Sequence, residues 1–149
     1  MLWRLLLVGW MCMAPLLHAE EARIIKVLPH LLDAKGRNAL APSLFERDAY
    51  QAQLRAHPDQ IAAVRVDVQI KAKHRETPLL LKLELRTSKT ELGKVQVFQT
   101  AVVPARWLST WAKIQIDKAT YDTLGPVIAW RATLWDGTEQ VAEQESFLW

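Results

Sequence analysis

Ten residues near the middle of the chain, VRVDVQIKAK from Val64 to Lys73, alternate without a fault. Val64, Val66, Val68, Ile70 and Ala72 fall on one row; Arg65, Asp67, Gln69, Lys71 and Lys73 fall on the other. A helix, with its period of about 3.6 residues, would scatter these apolar side chains around its circumference, whereas a strand puts them all on one face. The segment is therefore predicted to be a half-buried strand. Its apolar row demands a second layer to cover it.

The same period recurs downstream. In LLLKLELRT, Leu79, Leu81, Leu83 and Leu85 share a row. KVQVFQTAVV (Lys94 to Val103) reads as a further, bent strand, and WAKIQID (Trp111 to Asp117) as another with Ala112, Ile114 and Ile116 inward. PVIAWRATLW (Pro126 to Trp135) places Ile128, Trp130, Ala132 and Leu134 on one face, and DGT (Asp136 to Thr138) turns the chain into a last strand, QVAEQESFLW. Upstream, ARIIKVL (Ala22 to Leu28) is an expected first strand closed by Pro29. Asp33-Ala34-Lys35-Gly36 then forms a turn or small hairpin, since Asp bonds its own backbone and Gly accepts positive φ. Six or seven strands, each with one apolar face, describe a mainly β fold: an antiparallel sandwich, immunoglobulin-like or fibronectin-like. The chain after residue 19 has no cysteine to pin two sheets together, so an antibody-type domain is excluded, and an inward Trp130 is expected to fill the space instead.

One stretch breaks the period. In SLFERDAYQAQLRA, Ser43 and Glu46 have the spacing of a capping box, which predicts one inserted helix over about residues 44–56. Leu44, Phe45, Ala49, Ala52 and Leu54 are expected on its packed face, with Arg47, Gln51 and Arg55 turned to water. Pro58 disfavours helix at His57, so the helix should end near Ala56. The tripeptide His57-Pro58-Asp59 also occurs at the tip of J-domains, but there a second helix follows. Here the faultless strand follows, and the motif lacks its structural context.

The first nineteen residues have the order of a secretory signal peptide: Arg4, an apolar run from Leu5 to Leu17, then a small residue at Ala19. The run is short for a membrane span, although an uncleaved anchor is the alternative. Acylation at Cys12 is not expected with Met11 before it. Residues 20–149 are then one exported domain, periplasmic or secreted, with no membrane span after cleavage. Lys and Arg exceed Asp and Glu by only three over the whole chain and are mixed along it, which gives no support for nucleic-acid binding.

LLDAKGR, PSLFERDAYQAQLR, AWRATLWDG and the terminal SFLW resemble stretches of a family of small exported β-rich bacterial proteins, over nearly the whole chain after the signal segment. The resemblance implies an exported β-rich domain and brings with it no activity, cofactor or catalytic residue.

The residues themselves offer few constellations for chemistry. His30, His57 and His74 have no metal-ligand spacing, so no metal site or cofactor is expected. Ser43, Ser88, Ser109 and Ser146 lie in no nucleophile elbow. Gly36, Gly93, Gly125 and Gly137 each mark a turn and form no phosphate loop. Asp67 and Glu84 are expected on solvent rows of neighbouring strands, as salt-bridge partners. Glu46 to Tyr50 is a dense polar cluster, so Arg47, Asp48 and Tyr50 are candidate ligand-binding residues, against the plainer reading that they lock the helix. Among the tryptophans, Trp111 and Trp135 lie opposite their strands' apolar rows and are candidates for stacking on a sugar ring. The terminal SFLW resembles the end of an outer-membrane barrel, but such barrels need at least about eight strands, so the aromatic end is expected to pack under the sandwich. These features together predict a non-enzymatic binding module for an envelope protein. The alternatives are a carbohydrate-binding module and an enzyme built around His30, Asp33 or Asp48.

Overall fold

A computed structural model describes residues 22–73, 77–91 and 94–149. Residues 1–21, which hold the expected signal peptide with Cys12, and also His74 and Gly93, lie outside the described residues. The strands are β1 (Ala22–Leu32), β2 (Ala63–Ala72), β3 (Leu79–Thr87), β4 (Gln96–Val102), β5 (Thr110–Asp117), β6 (Val127–Asp136) and β7 (Glu139–Glu145). Helix α1 (Leu44–Ala56) joins β1 to β2, and helix α2 (Lys118–Leu124) joins β5 to β6. The strands form two antiparallel sheets, in the orders β1-β2-β5 and β4-β3-β6-β7. This is an immunoglobulin-like sandwich of the fibronectin-like kind, in which the fourth strand lies beside the third. Val64, Val66, Val68 and Ile70 of β2 meet Leu79, Leu81, Leu83 and Leu85 of β3 in one continuous core, and Trp130 packs against it as the sequence suggested.

Several local expectations are corrected. β1 does not stop at Pro29 but runs on to Leu32. It is an edge strand, so the missing N–H of Pro29 costs no ladder bond. Ile128 is exposed, because a bulge between Arg86 and Thr87 leaves it unpaired and brings Val127 into the apolar row instead. The last strand ends at Glu145, and Ser146 closes on Trp130 through both its N–H and its hydroxyl. The chain then turns back, so Trp149 lies near Arg86 and Arg131, two residues of the solvent-side rows, and does not pack in the core. Asp67 and Glu84 belong to different sheets and cannot pair with one another.

The packed face of α1 also differs from the amphipathic reading. Ser43 caps the helix, its Oγ accepting from Glu46 N at 3.0 Å. Tyr50, Gln51 and Leu54 are the buried residues, whereas Leu44, Phe45, Ala49 and Ala52 are exposed. Gln51 is buried because it completes the edge of β1. Its Oε1 accepts from Leu31 N at 2.8 Å and its Nε2 donates to Leu31 O at 2.9 Å. One side-chain amide thus replaces the neighbouring strand that β1 lacks at that point, which also blunts the edge.

α2 is a second helix beyond the single inserted helix expected from the sequence, though its signals are present there. Asp117 caps it through a bond from Thr120 N to Oδ1 at 2.8 Å, and Gly125 ends it at φ 76° with Pro126 next. A Cβ at Gly125 would collide with Ser88 Oγ. Ser88 N and Lys89 N donate to Pro126 O and Leu124 O, so the segment after β3 is stitched to the turn that leads into β6.

Candidate functional site

Both helices lie at one end of the sandwich, where β1 finishes, β2 starts, β5 finishes and β6 starts. Between them opens a cleft of about 440 Å³. Leu31, Ile61, Val64, Tyr121 and Val127 give it an apolar lining, and Arg55, Lys89 and Asp122 contribute polar groups. Lys89 is held in place by a bond from its Nζ to Asp122 O at 2.6 Å. Arg55, at the end of α1, is exposed and makes no ion pair among the described residues. No sequence signal marked these residues as a group, because four separate segments bring them together. A pocket of this size, apolar with a few placed polar groups, is the usual form of a ligand or peptide site.

Behind the cleft, α1 is strapped to the chain that leaves β1. Asp33 Oδ1 accepts from Lys35 N and Arg37 N, each at 2.8 Å. Its Oδ2 accepts from Arg37 Nε at 2.8 Å and from the buried Tyr50 hydroxyl at 2.7 Å. Burial alone would push the Asp33 carboxyl up, but the bonds from Arg37, Tyr50 and Lys35 outweigh it and hold the carboxyl well below the usual carboxylate range. Tyr50 therefore acts as the anchor of the helix. Arg47 and Asp48 bond to one another on the surface, with Arg47 Nη2 3.0 Å from Asp48 Oδ1, and stand outside this network.

His30 and Asp67 form a second buried polar group, on the outer side of the three-stranded sheet. His30 Nε2 lies 3.7 Å from Asp67 Oδ2, which also accepts from Arg65 Nη2 at 3.0 Å. Asp67 Oδ1 is 2.9 Å from Arg65 Nε but out of line with it, and accepts no hydrogen bond. Burial lowers the His30 pKa; the Asp67 carboxylate opposes that, and the guanidinium groups of Arg65 and Arg47 reinforce it. Asp33 is tied to Tyr50, Asp48 is exposed and His30 sits with Asp67, so the three do not form one acid–base cluster. Among the described residues no group of His, Cys, Asp and Glu side chains has the arrangement of a metal site. No helix there is long and apolar enough to cross a membrane.

Trp111 lies on β5 opposite Gln69 and is exposed; Trp135 lies on β6 opposite Leu80 and is half-buried. Each is on the outer side of its own sheet, so they do not combine into one stacking platform. Trp135 donates from Nε1 to Thr133 Oγ1 at 2.9 Å and carries Lys82 Nζ 4.2 Å from its ring centre.

No family model matches the chain, and no curated protein matches it. Among solved structures, a β-glucosidase from Kluyveromyces marxianus aligns with 57% of this chain and 12% of its own length, at 9% identity and a TM-score of 0.29. That likeness is too slight to support an inference.

Proposed function

We propose that the chain is an exported, non-enzymatic binding module of the cell envelope, and that a protein partner inserts an apolar segment into the cleft between α1 and α2. The observation that carries this reading is the cleft itself, an apolar recess with charged groups beside it, set at one end of the sandwich. Its surroundings favour a protein over a small molecule, because apolar surface extends past the recess. Ile128, Phe147 and Leu148 are exposed at the same end, as is Phe45 on α1. Exposed apolar groups gathered around a polar-rimmed recess are the mark of an interaction surface.

A photo-cross-linking residue placed at Arg55 or Lys89 in the exported chain tests this in cells. We expect one defined protein adduct from these positions and none from Gln99, which lies on β4 of the other sheet. Equal labelling from all three positions, or no protein adduct from the cleft, overturns the reading.

A further inference from the structure

Among the described residues, the outer side of the three-stranded sheet carries positive charge that no ion pair or side-chain hydrogen bond engages. The register sets Arg23 opposite Lys71, Gln69 between Lys26 and Trp111, and Asp67 opposite Lys113. These residues alternate with the buried row of Ala22, Ile24, Val68, Ile70 and Ala112, so they lie on the outer side of the sheet, where Asp67 alone of them is buried. Arg23, Lys26 and Lys113 are exposed and Lys71 is half-buried. None of the four makes an ion pair or side-chain hydrogen bond among the described residues. Asp67, the carboxylate in the middle of the face, is already engaged by Arg65 and adjoins His30. Like charges directly opposite one another weaken a sheet, so stability does not account for Arg23 facing Lys71.

Beside this face stands an apolar tip. Within the β4–β5 connection, Ala105 N donates to Thr110 Oγ1 at 2.7 Å and closes the base of the loop. Gln69 Nε2 donates to Ser109 Oγ at 2.8 Å, and because Gln69 is on the outer row this bond ties the loop to the charged face. The pinned loop presents Trp107 and Leu108, 73% and 74% exposed, with Val103 and Trp111 also exposed nearby. Arg106 Cζ lies 5.4 Å from the Trp107 ring centre.

We propose that this face docks on an anionic phospholipid surface. Arg23, Lys26, Lys71 and Lys113 meet the lipid phosphates, and the Trp107-Leu108 tip enters the headgroup layer. Cations and an amphipathic ring placed side by side are what such a surface rewards, the first by charge and the second by partition at the interface. A soluble polyanion would engage the cations alone and leave the tip without a role. The Trp107-Leu108 tip lies at the opposite end of the sandwich from the cleft, so its binding is measured independently of the partner proposed there.

The test uses the full chain with vesicles of phosphatidylglycerol and phosphatidylcholine in equal parts, against phosphatidylcholine alone. Co-sedimentation and tryptophan emission are the readouts. Any contribution of the apolar run at residues 5–17 is common to every variant. We expect at least about tenfold stronger partition onto the anionic vesicles, released by roughly 0.5 M salt. The triple variant Lys26→Gln, Lys71→Gln, Lys113→Gln should lose most of that preference, by about tenfold or more. Trp107→Ser with Leu108→Ser should keep the preference, bind more weakly and lose the blue shift in emission. Far-UV circular dichroism checks that each variant is folded, and the salt series on the unaltered chain needs no variant. Equal partition onto both vesicles, indifference to salt, or a triple variant that binds like wild type overturns the proposal. So does binding to short duplex DNA in place of vesicles with no response to the tip substitutions, which would make the face a polyanion site.

Discussion

The two outer faces of the sandwich treat their charges in opposite ways. On the four-stranded sheet, charge and aromatic groups consume one another. Arg131 Nε donates to Glu84 Oε2 at 2.6 Å, Lys82 lies over Trp135, and Arg86 and Arg131 lie 4.3 and 4.9 Å from the Trp149 ring centre. On the three-stranded sheet, Arg23, Lys26, Lys71 and Lys113 have no such partners among the described residues. Both faces are built on the same alternation and rest on the same core. The difference teaches that folding pairs most of the charge on the first face, whereas on the second, among the described residues, four cations are left without a partner.

The contrast has internal exceptions: Arg65 pairs with Asp67 on the three-stranded side, and the largest expected effect lies at another. Where β1 ends, the three-stranded side is strapped down by the Asp33–Tyr50–Arg37 network. In Asp33→Asn the new amide nitrogen would face two donors, the Tyr50 hydroxyl and the Arg37 guanidinium. We expect a loss of about 2–3 kcal/mol at pH 7, measured by urea unfolding. The effect should depend on pH in a definite direction. The Asp33 pKa is depressed in the folded state, so its contribution is complete above the ordinary value of 3.8 and is lost as pH falls below it toward the folded value. The gap between wild type and variant should therefore be constant from about pH 5 upward and shrink below about pH 4. A gap that stays open in acid would show that the carboxylate is not the strap.

A matched pair of truncations tests the contrast directly. Arg131→Ala removes an ion pair and a stacking contact from the four-stranded face at once, and should cost about 1–2 kcal/mol. Lys113→Ala, on the other face, removes no ion pair and should change stability by less than about 0.5 kcal/mol. Equal losses from the two substitutions would erase the distinction between a self-satisfied face and an available one.

Much of the fold was open to reading because alternation reports burial directly. The inward rows of β2, β3 and β5 fall where the sequence put them. What escaped was whatever depends on tertiary context. The bulge between Arg86 and Thr87, which turns Ile128 outward, leaves no mark in an apolar run. Gln51 looks like a solvent-side residue until the bare edge of β1 beside it is known. Asp117 with Gly125-Pro126 does bracket a helix in the sequence, but Tyr121 is an isolated aromatic in a segment too short to show a period. The cleft draws on segments far apart in the chain. The cationic face escaped for a related reason. Its members are spread from Arg23 to Lys113 and read as well-mixed charge, and only the pairing of β1 with β2 and of β2 with β5 collects them.

One small expected effect on stability also separates the two faces by sign. Arg23 and Lys71 are directly opposite across an antiparallel ladder, where like charges repel and unlike charges attract. Lys71→Glu converts that repulsion into an ion pair without touching the core, and should raise stability by about 0.5 kcal/mol. The same substitution should weaken partition onto phosphatidylglycerol vesicles, since it removes one cation and adds one anion. A natural position at which stability rises while a surface activity falls is what a trade between the two predicts. Were Lys71 merely a tolerated surface lysine, its replacement could raise stability but would leave the vesicle measurement where it was. A fall in both would instead mean that the lysine serves the sheet itself. On the four-stranded face the analogous reversal, Arg131→Glu, should lower stability, because there the charge already has its partner in Glu84.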